Sequence, residues 1–328
     1  MKRRPDGYYI ENINPYHKIM PHIMPHRSDA MNMTFVDIDC EPIDAFIKEM
    51  ADKGVTYSYI DILLAAMTRL FARRPAINRF VMNKKIYQHN DITISFVVKK
   101  KMVDNSEDTS VKLHFDGHEG IDEIKEKTDE VIKANTGEDI YNSVDKTAKI
   151  LTSAPHWLIS LAIGTINFLD KHNILPAKII EVSPFHNSLF ITFLKSIKGD
   201  ALLHHCYNFG TTGIFIGVGK ESYQPVVVKG QIVSKKILPL GVVMDERFCD
   251  GLYFVNSMRV LKKILSDPKC LIEEYHFKSE EAEAVGVRSK EEREKYKRLA
   301  KEHERKKKEA KKAAKQAKAE AKKTEKDN

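Results

Sequence analysis

Apolar and polar residues alternate over residues 33–39, MTFVDID, which predicts a half-buried strand. From Pro42 the spacing changes to three and four, giving a short helix through IDAFIKEMADKG that Gly54 closes. A longer helical pattern, TYSYIDILLAAMTRLFARR, runs up to Pro75. Two strand patterns come next, around RFVMNKKIYQ and DITISFVVKKK, and the Asn83-Lys84-Lys85 stretch between them suits a hairpin turn. HEGIDEIKEKTDEVIKAN reads as an amphipathic helix. SAPHWLISLAIGTINFLDKHN reads as an apolar helix packed on a sheet. A strand-rich block follows: SLFITFLKS, FGTTGIFIGVGK and QPVVVKGQIVSKKILPLGVVMDERF. A last helix from Leu252 repeats apolar residues at Phe254, Met258, Leu261 and Leu265 and stops near Pro268. Helices and strands are mixed without regular alternation, so the pattern predicts an α+β sandwich with a mixed sheet covered by helices.

The pattern ends before the chain does. Residues 10–270 are expected to form one compact domain, and 279–328 a Lys/Ala/Glu-rich tail. Ser289 and Glu292 suit a capping box, and the stretch behind them has high helix propensity but no apolar stripe. It is expected to be a frayed helix or disordered. Charge divides at the same place. Residues 288–328 hold 18 Lys/Arg and 9 Asp/Glu, while the whole chain of 328 residues carries a net +8, so the body is near neutral. The basic character therefore describes the tail, which suits either a polyanion or acidic partner or a merely solvated, solubilising segment.

The four cysteines (Cys40, Cys206, Cys249 and Cys270) form no C-x-x-C pair, which argues against a zinc site and a disulfide framework. Cys249 reads as a small apolar filler. The N-terminus lacks the apolar run of a secretory signal, and the longest apolar stretch, residues 157–169, is too short to span a bilayer. Together these predict a cytoplasmic protein with no transmembrane segment and no metal.

Four segments in order resemble the catalytic domain of the dihydrolipoamide acyltransferase component of 2-oxoacid dehydrogenase complexes, whose fold chloramphenicol acetyltransferase shares. They are RRPAINRFVMNKKIYQHNDITISFVV, SPFHNSLFITFLKSIKGD, HHCYNFGTTGIFIGVGK and PLGVVMDERFCDGLYFVNSMRVL. The resemblance spans roughly residues 15–268. The family's terminal motif is close to D-H-R-x-x-D-G. Here Asp245, Arg247, Asp250 and Gly251 match it, and Glu246 stands where the family has histidine.

The resemblance implies a homotrimer with active sites between subunits and a coenzyme A thioester as co-substrate; no covalent lipoyl lysine is expected, because the sequence shows no N-terminal β-rich module with an exposed D-K-A lysine. It places the general base at 246 and an oxyanion-stabilising hydroxyl at Thr192 or Ser196. It also implies that Asp250 holds its loop through a basic partner, Lys18 or Arg27, and that Ser196 and Gly210 lie near the cofactor. Where the family loop reads like T-N-L-G-S, this chain has Phe193 and Lys195. Each residue also has a plainer reading: Glu246 as a loop carboxylate paired to an arginine, Thr192 as a β-former, Asp250 as a turn anchor, and Tyr207-Asn208-Phe209-Gly210 as a packing and turn element. His204 and His205 are expected as one buried and one exposed residue of a strand, not as a substitute base.

A general base works best with a pKa near the operating pH. Imidazole sits near 6.5 and glutamate near 4.3, a gap of about 3 kcal/mol in proton-transfer driving force. A carboxylate that takes a proton becomes neutral and cannot balance a developing oxyanion, whereas imidazole becomes a cation. Glu246, Phe193 and Lys195 all fall on the catalytic constellation while the turn residues are kept. The expectation is an acyltransferase-family protein whose activity is weak or lost, with a non-catalytic trimeric scaffold or regulatory pseudoenzyme as the alternative. Glu246 is expected at a subunit boundary, within reach of a basic side chain.

Overall fold

The computed structural model describes residues 3–99, 108–135 and 153–278, together with eight scattered positions between 294 and 309. A seven-stranded mixed sheet forms its frame. The strands are β3 (Met31–Asp39), β6 (Ile92–Lys99), β7 (Asp108–Phe115), β8 (Leu189–Phe193), β9 (Ile214–Val218), β10 (Ser222–Val228) and β11 (Gln231–Asp245). Their order is β10-β11-β9-β8-β6-β7, with β3 on the free side of β11. The β6–β8 and β8–β9 pairs are parallel and the rest antiparallel. A small second sheet joins β1 (Arg3–Arg4), β2 (Gly7–Tyr9), β5 (Lys85–His89) and β4 (Arg79–Met82) in that order. The mixed α+β architecture expected from the sequence is the one found.

One face of the large sheet is covered by α2 (Glu41–Asp52), α3 (Tyr59–Arg73), α4 (Ile121–Asn135) and α7 (Gly251–Leu265). Helix α3 is buried continuously from Asp61 to Ala72, as its apolar sequence requires. Its start is fixed by a capping box: the Ser58 backbone N–H donates to Asp61 at 2.8 Å, and the Asp61 N–H to the Ser58 hydroxyl. The turn falls at Asn83-Lys84, both at positive φ as a two-residue primed turn demands, but it joins β4 and β5, both inside RFVMNKKIYQ, while DITISFVVKKK gives β6 of the large sheet.

Residues 201–206 form no strand; they run as a loop over the other face of the sheet, above Phe190, Phe215 and Val243. A Cβ on Gly241 would lie 2.1 Å from the Leu202 carbonyl oxygen, so the loop approaches closely only because β11 has glycine there. The two histidines expected on a strand therefore sit on this loop, His204 half-buried with its ring 3.9 Å from that of Phe215 and His205 exposed.

A second expectation fails more informatively. The apolar segment from 153 forms α5 (His156–Lys171), but it does not pack on a sheet: Asp170 is its one buried residue. Its C-terminal end alone is clamped. Asp170 takes Arg4 at 2.6 Å and His186 at 3.1 Å, and the Asp170 carbonyl accepts from Arg4 at 2.9 Å. Burial alone would raise the Asp170 pKa; the His186 bond and the Arg4 charge outweigh it and hold the carboxyl below its usual range. The apolar pattern fixes the helix type, but not which surface meets it.

Five further elements were not marked by the pattern: β1, β2, α1 (Pro15–Ile23), which carries Pro21 inside it, β7, and the short α6 (Ala177–Val182). Among the described residues no helix is long and apolar enough to cross a membrane, and no group of three or more His, Cys, Asp or Glu could hold a metal ion. Ser289 and Glu292 lie outside the described residues. The described tail positions are helical and exposed, with Lys306 paired to Glu302 at 2.9 Å one turn away.

Candidate active site

The segment from Asp245 to Gly251 links the end of β11 to the start of α7. Asp245 is fully buried and holds Arg247 through two contacts, Nε at 2.8 Å and Nη2 at 2.6 Å. Arg247 also donates to the carbonyls of Met24 and Pro25. Arg27 approaches the same carboxylate at 3.5 Å and donates to the carbonyls of Tyr207 and Gly210. Burial pulls the Arg27 pKa down, with Asp245 opposing. Two arginines on one buried aspartate thus pin the motif to the 207–210 turn and to the chain before β3.

Gly210 belongs to that lock. It has φ of +72°, and a Cβ there would meet the Phe185 carbonyl oxygen at 2.2 Å, so no other residue fits. Its carbonyl accepts from Arg27, which is the packing and turn role that the plainer reading of residues 207–210 expects.

Glu246 sits between the two locked residues and is half-buried. Its backbone N–H donates to Ala30 at 2.9 Å, and its carboxylate accepts from the Asn32 side-chain amide at 2.8 Å. Within the chain its hydrogen-bond partner is therefore a neutral amide. The expected pairing with Arg247 does not occur, because Asp245 takes that guanidinium. Asn32 was not singled out from the sequence; it reaches Glu246 because β3 pairs with β11 in a register that sets Met31 opposite Asp245.

Asp250 caps α7, its Oδ1 accepting from the Tyr253 N–H at 2.8 Å. Neither Lys18 nor Arg27 pairs with it. The nearest cation-forming group recorded is His17, 3.8 Å from Oδ2, and Arg27 is committed to Asp245 and the 207–210 carbonyls. Cys249 is buried and its thiol is pushed up to about 12 by burial, so it stays protonated.

Thr192 lies at the far end of the sheet. Strand pairing sets Thr192 beside Gly217 and Gly217 beside Gly241. Glu246 is five residues beyond Gly241, roughly 17 Å away along the strand direction at about 3.4 Å per residue. Ser196 is exposed, and its hydroxyl donates to the Phe193 carbonyl at 2.7 Å. Lys195 pairs with Glu221 and lies 4.6 Å over the Tyr59 ring, while Phe193 packs edge-on against Phe96. Glu246 and Asp250 thus share one segment but turn to different partners, Asn32 and the start of α7, and Thr192 and Ser196 lie apart from both within one chain. A cleft of about 240 Å³ adjoins the motif, lined in part by Arg27, Lys84, Lys171 and Arg247.

Comparison with known proteins gives a bounded likeness. Residues 210–273 match the model of the 2-oxoacid dehydrogenases acyltransferase (catalytic domain) family. The dihydrolipoyllysine-residue acetyltransferase component of the pyruvate dehydrogenase complex from Staphylococcus aureus is 34% identical over 59 residues, 18% of this chain and 14% of that protein. The matched stretch thus spans about a seventh of that relative's length. Among solved structures, the cubic core of the pyruvate dehydrogenase multienzyme complex is 17% identical, with a TM-score of 0.48 over 80% of this chain and 93% of that one. A chloramphenicol acetyltransferase is 12% identical, with a TM-score of 0.49 over 79% and 99%. The resemblance to the acyltransferase catalytic domain read from the sequence is found again, carried by the 210–273 stretch that contains Glu246, Asp250 and Gly251.

Proposed function

We propose that this chain is a coenzyme A-dependent protein of the 2-oxoacid dehydrogenase acyltransferase catalytic type, assembling as a homotrimer, with Glu246 in the general-base position and acyl transfer weak or lost. The observation that carries the reading is the family match over residues 210–273, which spans the whole E-R-x-x-D-G segment. Residues 10–270 form the catalytic-type body, the tail from 279 reaches a polyanion or acidic partner, and the protein acts in the cytoplasm.

The geometry suits a site shared between copies. Glu246 and Thr192 stand at opposite ends of one sheet, so a hydroxyl able to meet Glu246 comes from a neighbouring chain. Residue 246 sits on a rigid turn, because Asp245 and Arg247 on either side are locked. The exposed Lys84 and Lys171 that line the cleft beside it suit the phosphates of coenzyme A. In the enzymatic reading the thiol of coenzyme A or of an acceptor would lose its proton to residue 246 as it attacks the thioester carbonyl, and the tetrahedral adduct would collapse by breaking the original C–S bond, the leaving thiolate taking the proton back from residue 246. The Thr192 hydroxyl of a neighbour would donate to the oxyanion. Asn32 holds the carboxylate by a neutral hydrogen bond, and a carboxylate that accepts the proton leaves no counter-charge for the oxyanion.

The non-catalytic scaffold is the second reading, favoured by the loop after Thr192. Ser196 is spent on its own turn and Lys195 on Glu221, so the segment that would supply the oxyanion hydroxyl is built differently from the family loop.

The test is acyl transfer from acetyl coenzyme A to a panel of thiols and amines, for wild type, Glu246→His and Glu246→Gln, beside calorimetric titration with coenzyme A. Wild type is expected to bind coenzyme A and to turn over weakly or not at all, with a partial gain in Glu246→His. Loss of a base costs ~10²- to 10⁴-fold and loss of one oxyanion donor a further ~10²- to 10³-fold, so restoring one leaves the other deficit. Robust wild-type turnover abolished by Glu246→Gln would overturn the impaired assignment. Absence of coenzyme A binding would overturn the family function altogether.

A further inference from the structure

Helix α5 presents to solvent a face that solvation does not explain. No residue from Trp157 to Leu169 is charged. The side towards the body carries Asp170, while the outward side carries Trp157, Leu161 and Phe168, exposed by 69%, 59% and 57%. Gly164 lies on the same outward side, and a Cβ built there meets nothing within 4 Å. Glycine is a poor helix former. Nothing in the described chain requires it at this place, so close approach of a second helix is the physical reason that remains.

The spacing of the four residues is regular. Trp157, Leu161, Gly164 and Phe168 are separated by four, three and four positions, the repeat of a seam that packs knobs into holes. The order is also self-complementary. When two such helices run antiparallel about a twofold axis between residues 162 and 163, Leu161 of each falls opposite Gly164 of the other, and Trp157 opposite Phe168. A large side chain then meets the one position with no side chain, and the two aromatic ends cover each other. A twofold interface needs this property, because one patch must fit itself.

From their fractional exposures, Trp157, Leu158, Leu161 and Phe168 offer on the order of 450 Å² per copy. Two copies would bury up to about 900 Å², which suits a weak, reversible pairing. A lipid surface fits less well, since interfacial helices carry a strongly charged opposite face and α5 has none before Asp170.

We propose that α5 is a self-association surface, on which a second copy of this chain docks its own α5 in antiparallel register with Leu161 over Gly164. The pairing is independent of the acyltransferase reading and of the trimer.

The experiment is light scattering on the full chain, for wild type, Leu161→Asp and Gly164→Lys. Wild type should have the mass of an even number of chains and each variant half that mass, with circular dichroism and melting temperature unchanged. Six chains falling to three would uphold both this pairing and the trimer; two falling to one would uphold the pairing and refute the trimer. A mass unchanged in both variants overturns the proposal. Register is read by cross-linking in a Cys270→Ser background. Leu161→Cys and Gly164→Cys chains should oxidise to a disulfide when mixed and not when separate; self-cross-linking of each variant alone would overturn the antiparallel pairing. Flotation with vesicles of phosphatidylserine and phosphatidylcholine closes the alternative. Flotation of wild type that Leu161→Asp abolishes, without change of mass, would assign the face to lipid and overturn self-association.

Discussion

Acidification from pH 7 to pH 4 should destabilise the fold through His89. This residue ends β5 and is 2% exposed, its ring 4.4 Å from that of Phe80. Its Nε2 is buried without a hydrogen-bond partner. Burial lowers its pKa to about 4, with Asp6 and Asp91 pulling the other way. In the unfolded chain the same imidazole titrates near 6.5. Between these values the unfolded state binds the proton and the folded state does not, so stability falls as pH falls. At 1.36 kcal/mol per pH unit the gap amounts to about 3 kcal/mol by pH 4, a large share of the 5–15 kcal/mol typical of a domain. His114 works in the opposite sense. Its burial is outweighed by the bond to Asp91 at 2.6 Å and its pKa is raised, so its pairing is fully present at low pH and is lost as pH rises through the folded value. The assay compares urea unfolding of wild type and His89→Phe across this range. The variant lacks only the His89 titration, so the difference between the curves isolates it. Parallel curves would refute the argument and mean that His89 takes up its proton inside the fold.

Asp170→Asn should loosen the clamped end of α5, because Arg4 and His186 lose the carboxylate they share while Arg4 keeps Asp6. Losing hydrogen bonds to a charged group costs about 1.5–3 kcal/mol, and a thermal melt unchanged by the substitution would show that the clamp carries no stability. Gly241→Ala should push the 201–206 loop off the sheet, at a cost of about 1–3 kcal/mol in urea unfolding. Faster hydrogen exchange at residues 201–206 would be its local signature, and unaltered exchange and stability would mean that the loop yields without strain.

The chain by itself determined its local elements. The α3 helix, the turn at Asn83-Lys84 and the strand character of the block from 189 to 245 follow from apolar period and turn chemistry, which act between residues close in sequence. The motif around Glu246 was equally legible, because five residues at fixed spacing carry it. The tertiary structure decided partners. Arg247 went to Asp245 rather than Glu246, Asn32 arrived through the register of β3, and Asp250 became a helix cap instead of the mate of Lys18 or Arg27. Gly210 and Gly241 are backbone approaches that only folding creates. The apolar face of α5 marks the boundary between the two kinds of knowledge. Composition says that it must be covered, and only the packing of the body shows that the described part of the chain does not cover it. Short-range periodicity sets what an element is, whereas the free energy of long-range contacts sets what it touches.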